Sequence, residues 1–175
     1  RSEPYHVARV ISSLDHLSKG RIGWNVVTTI NEKAALNFSK DPIPHAQRYE
    51  IAEEFVDVVR GLWDCWDDGA IIADRKTGEY VDPNKLRRLN HQGRFFSVRG
   101  PVNIERGPQG QPVIIHAGGS TPGQALAARI ADVVVSVPLG LAVYYSMCRL
   151  LKLTEIDLAL RAFTGPLKRL AGRFV

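Results

Sequence analysis

The fold is decided by the stretch Ser18-Lys19-Gly20-Arg21-Ile22-Gly23-Trp24-Asn25-Val26-Val27-Thr28-Thr29. Apolar residues fall on both sides of the extended chain that it predicts, so we expect a strand covered on both faces, as in a parallel α/β sheet. Gly23 within such a strand is typical of close approach by a ligand or by another backbone. Asn25 needs hydrogen-bond partners if it is buried. A hydrogen-bonded core asparagine beside a structural glycine explains the stretch equally well, and the stretch alone leaves both interpretations open.

Helices and strands alternate along the first three quarters of the chain. Apolar residues at helical spacing predict helices over 4–17, 45–66 and 124–130. Short apolar runs predict strands over 21–29, 112–117 and 131–136. A helix followed by a strand, repeated three times, predicts an α/β fold with a parallel sheet and right-handed crossovers.

The chain divides into two predicted regions. Residues 1–136 carry the alternating helices and strands, and 67–111 within them is predicted to be an insertion because turn residues dominate it. Two short strands, over 70–73 and 94–98, are expected in this insertion. Residues 137–175 are predicted to form an apolar helix and a basic C-terminal tail.

Composition limits the class of protein. The 175 residues are 45% hydrophobic and 23% charged, as in a globular domain. Residues 137–175 hold six of the 23 Lys+Arg but only two of the 18 Asp+Glu, so the net charge of +5 belongs mostly to the tail, and no nucleic-acid motif accompanies it. We expect no membrane span and no signal peptide. Cys65 and Cys148 have neither metal-ligand nor disulfide spacing, which predicts no metal site and a cytoplasmic location.

Two segments carry candidate binding residues. His45 and Tyr49 lie four residues apart at the start of the second predicted helix, so they share a face beside the end of the preceding strand. An imidazole, a phenol and free backbone N–H groups there can hold an anion such as a phosphate. The second segment is the turn Gly118-Gly119-Ser120-Thr121-Pro122-Gly123, which leads from a strand into a helix. Both segments are also explained by local structure alone.

A series of short motifs extends this evidence over residues 4–136. It comprises Ala8-Arg9, Ser13-Leu14-Asp15-His16-Leu17-Ser18-Lys19-Gly20-Arg21, Gly23-Trp24-Asn25-Val26-Val27-Thr28, His45 with Arg48-Tyr49, Leu62-Trp63, His91-Gln92-Gly93 with Phe96, Val98-Arg99-Gly100-Pro101, Pro108-Gln109-Gly110 with Pro112-Val113, and Ala117-Gly118-Gly119-Ser120 with Gly123. In this order and spacing the motifs resemble the flavin-dependent monooxygenases typified by nitrilotriacetate, dibenzothiophene-sulfone and long-chain alkane monooxygenases, in the bacterial-luciferase-like superfamily.

The resemblance implies a fold and an activity. The fold is a partial (β/α)8 TIM barrel of about three parallel strands with flanking helices and an inserted loop or hairpin region, beginning at the helix before the fourth barrel strand. The expected activity is that of a two-component monooxygenase. Such enzymes bind FMN as FMNH2, receive it from a separate NAD(P)H:flavin reductase, and use O2 to oxygenate a small organic substrate. A homo-oligomer is left open.

The resemblance also assigns site residues. His45 and Tyr49 match flavin contacts of the family, and Ser120, with Gly119 beside it, matches a turn that contacts the flavin phosphate. Asn25 and Thr28 are expected to line the pocket floor. The family turn usually has two serines after Ala-Gly, and here Gly119 stands in the first place. No catalytic residue is assigned.

Two alternatives stay open. One is a catalytically inactive remnant or interaction module that keeps residual FMN or phosphate binding. The other is a nucleic-acid or membrane-surface protein that acts through residues 153–175. That hypothesis predicts strongly salt-dependent binding that disappears when the tail is removed.

Overall fold

The structure is a computed structural model that describes residues 2–28, 32–38 and 41–135. Those up to Val134 belong to one compact unit. The α-helices are α1 (Pro4–Ser18), α2 (His45–Trp63) and α3 (Thr121–Ile130), with 3-10 helices at Glu32–Phe38 and Pro83–Lys85. The strands are β1 (Gly23–Asn25), β2 (His91–Gln92), β3 (Ser97–Val98), β4 (Val113–His116) and β5 (Val133–Val134). The predictions for 137–175 fall outside the described residues.

The main sheet has three parallel strands in the order β1-β4-β5. Gly23 lies opposite Val113 in the β1–β4 pair, and Ile115 lies opposite Val133 in the β4–β5 pair. A helix precedes β1, and α2 and α3 are the crossovers that carry the chain from each strand to its parallel neighbour. The α/β class, the parallel sheet and its flanking helices are therefore as the sequence predicts.

The strands are shorter and less covered than predicted. Strand β1 spans three residues, with Gly23 and Asn25 exposed and Trp24 half-buried, so the prediction of a strand covered on both faces is wrong. The physical reason is its place in the sheet. Within the described ranges β1 pairs with β4 alone and stands at an edge. Strand β5 is exposed at the opposite edge for the same reason.

Gly23 is explained by the neighbouring strand. A Cβ added at Gly23 would lie 3.0 Å from Ile115 Cδ1 and 3.3 Å from the carbonyl oxygen of Val113. A side chain there would require Ile115 and the β4 backbone to shift by a few tenths of an ångström, since contacts this short are tighter than ordinary van der Waals packing. The glycine thus permits close approach of another strand, which is one of the two roles expected for it.

The core has two buried clusters, one between α1 and α2 and one that joins α2 to the sheet and α3. One face of α2 buries Val58, Val59, Leu62 and Trp63, and the Trp63 indole N–H donates to the carbonyl of Ala8 at 3.2 Å. Each fully buried Val or Leu contributes about 1.5–3 kcal/mol to folding. The second cluster, with Val56 of α2, fixes this helix against the sheet, and the start of α2 is thereby held beside the carboxyl end of β1.

Both crossover helices differ from their predicted bounds. Helix α2 ends at Trp63 rather than at residue 66. Helix α3 begins at Thr121, three residues before the predicted start, because Ser120 caps it. The Ser120 hydroxyl accepts a hydrogen bond from the Gly123 N–H at 3.2 Å, and Pro122 suits the first helical turn.

The segment 67–111 is only partly as predicted. Of the two strands expected there, Ser97–Val98 forms and pairs antiparallel with His91–Gln92, whereas Ile71 makes a single bridge to Val81. Ladder pairing depends on the partner strand, which local composition does not specify. Phe96 of this segment is buried in the same core as Trp63.

No helix within 2–28, 32–38 and 41–135 is long and apolar enough to cross a membrane.

Candidate functional site

The parallel sheet brings two chain segments to one edge. The chain leaves β1 along Val26 to Thr28, and it leaves β4 into the turn at Gly118, Gly119 and Ser120. Both strands run in the same direction, so their carboxyl ends meet on the same side of the sheet. This is where ligands bind in open parallel sheets and in barrels.

A hydrogen bond joins two of the predicted residues across this edge. The Tyr49 hydroxyl lies 3.0 Å from the Ser120 hydroxyl, although the residues are 71 positions apart in sequence. The Tyr49 hydroxyl also bonds with the Thr28 side chain. His45 packs its ring edge-on against the Tyr49 ring, with the ring centroids 5.1 Å apart. Four of the six predicted residues therefore form one cluster.

The cluster contains the start of helix α3. The Gln124 N–H donates to the Ser120 carbonyl at 2.8 Å, and Pro122 has no N–H. Among the bonds between described residues, none is donated by the backbone N–H of Gly119, Ser120 or Thr121. The first N–H groups of a helix carry partial positive charge and lack intrahelical partners, so this start can bind an anion.

The two glycines of the turn have different surroundings. Among the described residues, a Cβ added at Gly119 would meet nothing within 4 Å, so one side of the turn is open within this part of the chain. A Cβ added at Gly118 would fall on the imidazole of His116 and lie 3.0 Å from Gly123 Cα. The turn is therefore packed against His116 at Gly118, and it is open at Gly119 within the described residues. This arrangement fits a phosphate group held by N–H donors and the Ser120 hydroxyl.

Hydrogen bonding sets the electrostatics of the phenol. The pKa of Tyr49 is lowered from its ordinary value, chiefly by the hydrogen bond from Ser120 and then by the one from Thr28, with Arg48 adding a smaller attraction. Partial burial opposes this shift. Hydroxyls that can donate to the phenol oxygen favour the phenolate over the neutral form, and in the neutral cluster either hydroxyl of the Tyr49–Ser120 pair can be the donor. The three hydroxyls are thus ordered by one another before any ligand arrives.

The remaining predicted residues lie apart from the hydroxyls. Asn25 is exposed on β1, opposite Ile115, and within the described part of the chain no hydrogen bond joins it to the cluster. Gly119 acts through its backbone, and its carbonyl accepts from the Gln124 amide at 3.4 Å. No set of three or more His, Cys, Asp or Glu side chains within the described ranges is placed to hold a metal ion.

Sequence reasoning missed His116. Its side chain is buried, with only 3% of its surface exposed, and its Nδ1 lies 2.7 Å from the carbonyl oxygen of Val26. Its Nε2 is buried and has no partner among the described residues. The sequence signal for it is a polar residue inside an apolar strand directly before the glycine turn, a pattern that is also typical of an ordinary strand position.

Known proteins resemble this chain in sequence and in fold. Residues 1–152 match the family model described as luciferase-like monooxygenase. The chain is 58% identical over 134 residues to N-acetyl-S-(2-succino)cysteine monooxygenase of Bacillus subtilis, covering 76% of this chain and 30% of that protein. It is 50% identical over 142 residues to nitrilotriacetate monooxygenase component A of Aminobacter aminovorans, covering 81% and 31%.

A solved structure shows the same fold. The crystal structure of riboflavin lyase with modified FMN and riboflavin as substrate superposes with a TM-score of 0.72 at 41% identity, over 76% of this chain and 30% of that one. The chain spans less than a third of the length of each of these three proteins. These matches confirm the resemblance read from the motifs and, with it, the partial barrel.

Proposed function

The chain belongs to the luciferase-like monooxygenase family, and from this we propose that it carries the phosphate-binding part of the flavin site of a two-component monooxygenase. The proposed reaction uses O2 and reduced flavin to oxygenate a small organic molecule. The flavin supplies the reactivity toward O2 when it is bound, and the residues of this chain bind it, orient it and keep water from it.

One observation carries the proposal. The hydrogen bond between the Tyr49 and Ser120 hydroxyls joins the start of α2 to the start of α3, at the edge where β1 and β4 end. Helix starts, two hydroxyls and an open glycine turn meet there, and each of these groups donates readily to a phosphate oxygen.

The residue roles follow from position. The Ser120 hydroxyl and the backbone N–H groups of 119–121 would hold the phosphate, and Tyr49 would hold Ser120 in place. His45, exposed beside Tyr49, would face the flavin. Thr28 would position the phenol and, with Asn25, line the floor of the pocket.

FMN is the flavin that we propose, because the cluster suits a terminal phosphate and because a similar structure is described with modified FMN. A separate NAD(P)H:flavin reductase would supply FMNH2, as the name "component A" of one relative suggests. We place the reaction in the cytoplasm, where reduced nicotinamide and reduced flavin are available.

The proposal is tested by fluorescence titration of the purified 175-residue chain with FMN. Saturable binding is expected, and Ser120→Ala and Tyr49→Phe should each raise the dissociation constant about tenfold, the effect of losing one charge-assisted hydrogen bond or its support. His45→Ala should weaken binding by a smaller factor, since its imidazole is exposed.

Matched controls separate the site from general effects. Tyr80→Phe removes the hydroxyl of an exposed tyrosine outside the cluster, and Ser13→Ala removes a hydroxyl that donates only within α1, to the Arg9 carbonyl. Both should leave the dissociation constant unchanged. Absence of FMN binding by the folded chain, or equal losses in the controls, would contradict the proposal.

A second candidate function is favoured by the exposed sheet edges. Val133 and Val134 on β5 are 47% and 57% exposed, so the described unit leaves apolar edge surface that further strands of a barrel would cover. The chain would then be an inactive module that retains phosphate or flavin affinity. Oxygenation assays with FMN, NADH and a flavin reductase distinguish the two, because only the first function predicts turnover.

A further inference from the structure

His116 is a buried imidazole to which the proposed flavin contacts give no role. Its Nδ1 lies 2.7 Å from the Val26 carbonyl oxygen. A carbonyl oxygen can only accept, so Nδ1 carries the ring proton and, in the neutral ring, Nε2 is a bare acceptor. The ring therefore has a fixed tautomer and a fixed anchor on the segment that follows β1.

The other end of the ring lies directly beneath the glycine turn. A Cβ added at Gly118 would fall on His116 Nε2 and lie 3.1 Å from its Cδ2. Nε2 is buried and has no hydrogen-bond donor among the described residues. A buried polar atom without a partner disfavours folding, so its presence here calls for an explanation other than stability.

Two links therefore join the end of β1 to the glycine turn. The lower link runs from the Val26 carbonyl through the His116 ring to Gly118. The upper link runs from Thr28 through the Tyr49 hydroxyl to Ser120. The turn is therefore held on one side by the buried His116 ring and on the other by the hydroxyls of Tyr49 and Thr28.

We propose that His116 is a positioning residue, whose ring sets the distance between the turn from Gly118 to Ser120 and the end of β1. It thereby places the backbone N–H groups and the Ser120 hydroxyl for the phosphate. This inference rests on the proposed function, since the phosphate is that of the proposed flavin. The anchored Nδ1 prevents the ring from rotating, and Gly118 is glycine because the ring occupies the space of its side chain.

The test uses a variant that separates the two ends of the ring. In His116→Asn the amide nitrogen can keep the bond to the Val26 carbonyl, while the atoms beneath Gly118 are removed. The dissociation constant for FMN should rise about tenfold, whereas that for riboflavin, which lacks the phosphate, should change less than twofold. Equal losses for both ligands, or no loss for either, would overturn the inference.

His91→Asn is the matched control. His91 is half-buried and bonds to Glu54 outside the cluster, so its replacement should leave the ratio of the two dissociation constants unchanged. A change in that ratio as large as the one from His116→Asn would show a general effect of losing an imidazole, and would also overturn the inference.

A double-mutant cycle tests the contact itself. Gly118→Ala should weaken FMN binding about tenfold in the wild-type background and clearly less in His116→Asn, because the added methyl no longer meets Nε2. Compensation should be partial, since Gly123 Cα still lies 3.0 Å from the new Cβ. Strict additivity of the two changes would show that the ring does not support the turn.

A readout without flavin keeps this inference separable from the proposed function. In amide NMR spectra of the ligand-free chain, His116→Asn should shift the signals of Gly119 and Ser120, and His91→Asn should not. If the wild type binds no FMN, the proposed function fails, and these spectra alone decide whether His116 positions the turn. Unmoved signals at both residues would refute it.

Discussion

Two polar clusters lie on the same helix, five residues apart, and differ in what they leave unpaired. Near the start of α2, Tyr49 bonds to Ser120, beside a turn that faces open space. Further along α2, Glu54 accepts hydrogen bonds from the His91 imidazole at 3.1 Å and from the backbone N–H of Phe96 at 2.9 Å. We call these the open cluster and the closed cluster.

In the closed cluster the polar groups hydrogen-bond to one another. Phe95 N–H also donates to the Glu54 carboxylate at 3.0 Å, and a Cβ at Gly93 would fall on that carboxylate. These hydrogen bonds fix the hairpin of β2 and β3 on α2. A histidine and a glycine that match family motifs thus have a structural role here. Free donors and free space, rather than polar residues as such, distinguish a binding site.

The largest expected effect contrasts two glycines. Gly93→Ala should lower the free energy of unfolding by about 2 kcal/mol, because the new methyl displaces the Glu54 carboxylate and leaves its half-buried donors unpaired. Denaturant unfolding followed by circular dichroism measures this loss. The FMN affinity of the protein that remains folded should stay within twofold of the wild type.

Gly119→Ala is the counterpart in the open cluster. No described residue lies within 4 Å of the added Cβ, so stability should be unchanged or rise by about 0.5 kcal/mol through a less flexible unfolded chain. The dissociation constant for FMN should nevertheless rise about tenfold, because the methyl occupies space that the phosphate needs. Loss of stability at Gly119, or loss of affinity at Gly93, would break the distinction between the clusters.

A smaller effect is expected from Glu54→Gln. Burial of the carboxylate opposes its ionisation, but hydrogen bonds from His91 and from the Phe96 and Phe95 N–H groups lower the pKa of Glu54 below its ordinary range. A lowered pKa means that folding favours the carboxylate, so its stabilisation is present above the ordinary glutamate range. It is lost as pH falls through that range to the folded pKa. At pH 7 the variant should be about 1–2 kcal/mol less stable than the wild type.

The pH dependence and a control check this result. The difference between wild type and Glu54→Gln should shrink on acidification from pH 7 to pH 3, as measured by urea unfolding at each pH. Glu50→Gln makes the same change on the same helix, in an exposed pair with Arg94, and should cost less than about 0.5 kcal/mol. A gap that is independent of pH would show that the Glu54 charge does not stabilise the fold.

Much of the fold could be predicted from periodicity. Apolar spacing found α1, most of α2 and the strand at 112–117, because each buries a continuous face. The lengths of β1 and β5 could not be predicted, since they depend on which neighbours each strand has in the sheet. The pair at 91–92 and 97–98 was missed in part for the same reason.

The candidate site also contains features that the sequence predicts and features that it does not. His45 and Tyr49 share a helix face, so their proximity followed from spacing. The bond from Tyr49 to Ser120 spans 71 residues, and only the resemblance to a family linked the two segments beforehand. His116 could not be identified from sequence, because a histidine in an apolar strand is also typical of a core position. Its meaning appears only with the Gly118 contact beside it.

The smallest effect concerns the titration of Tyr49. Hydrogen bonds from Ser120 and then Thr28 lower its pKa, so Ser120→Ala should raise the pKa toward the ordinary tyrosine value of about 10. Phenolate absorbance measures this shift, with Tyr49→Phe identifying the signal among the five tyrosines and Ser13→Ala as the unaffected control.

Repeating the Tyr49 titration in the presence of inorganic phosphate compares anion binding at the open and the closed cluster. A phosphate held at the open cluster places negative charge near the phenol, and like charge disfavours the phenolate. Phosphate should therefore raise the pKa of Tyr49 in the wild type, and Ser120→Ala should reduce that response. Phosphate should not change the pH dependence of unfolding that reports Glu54, because the N–H groups around that carboxylate already donate to it. An equal response at both clusters would mean that neither is a specific anion site.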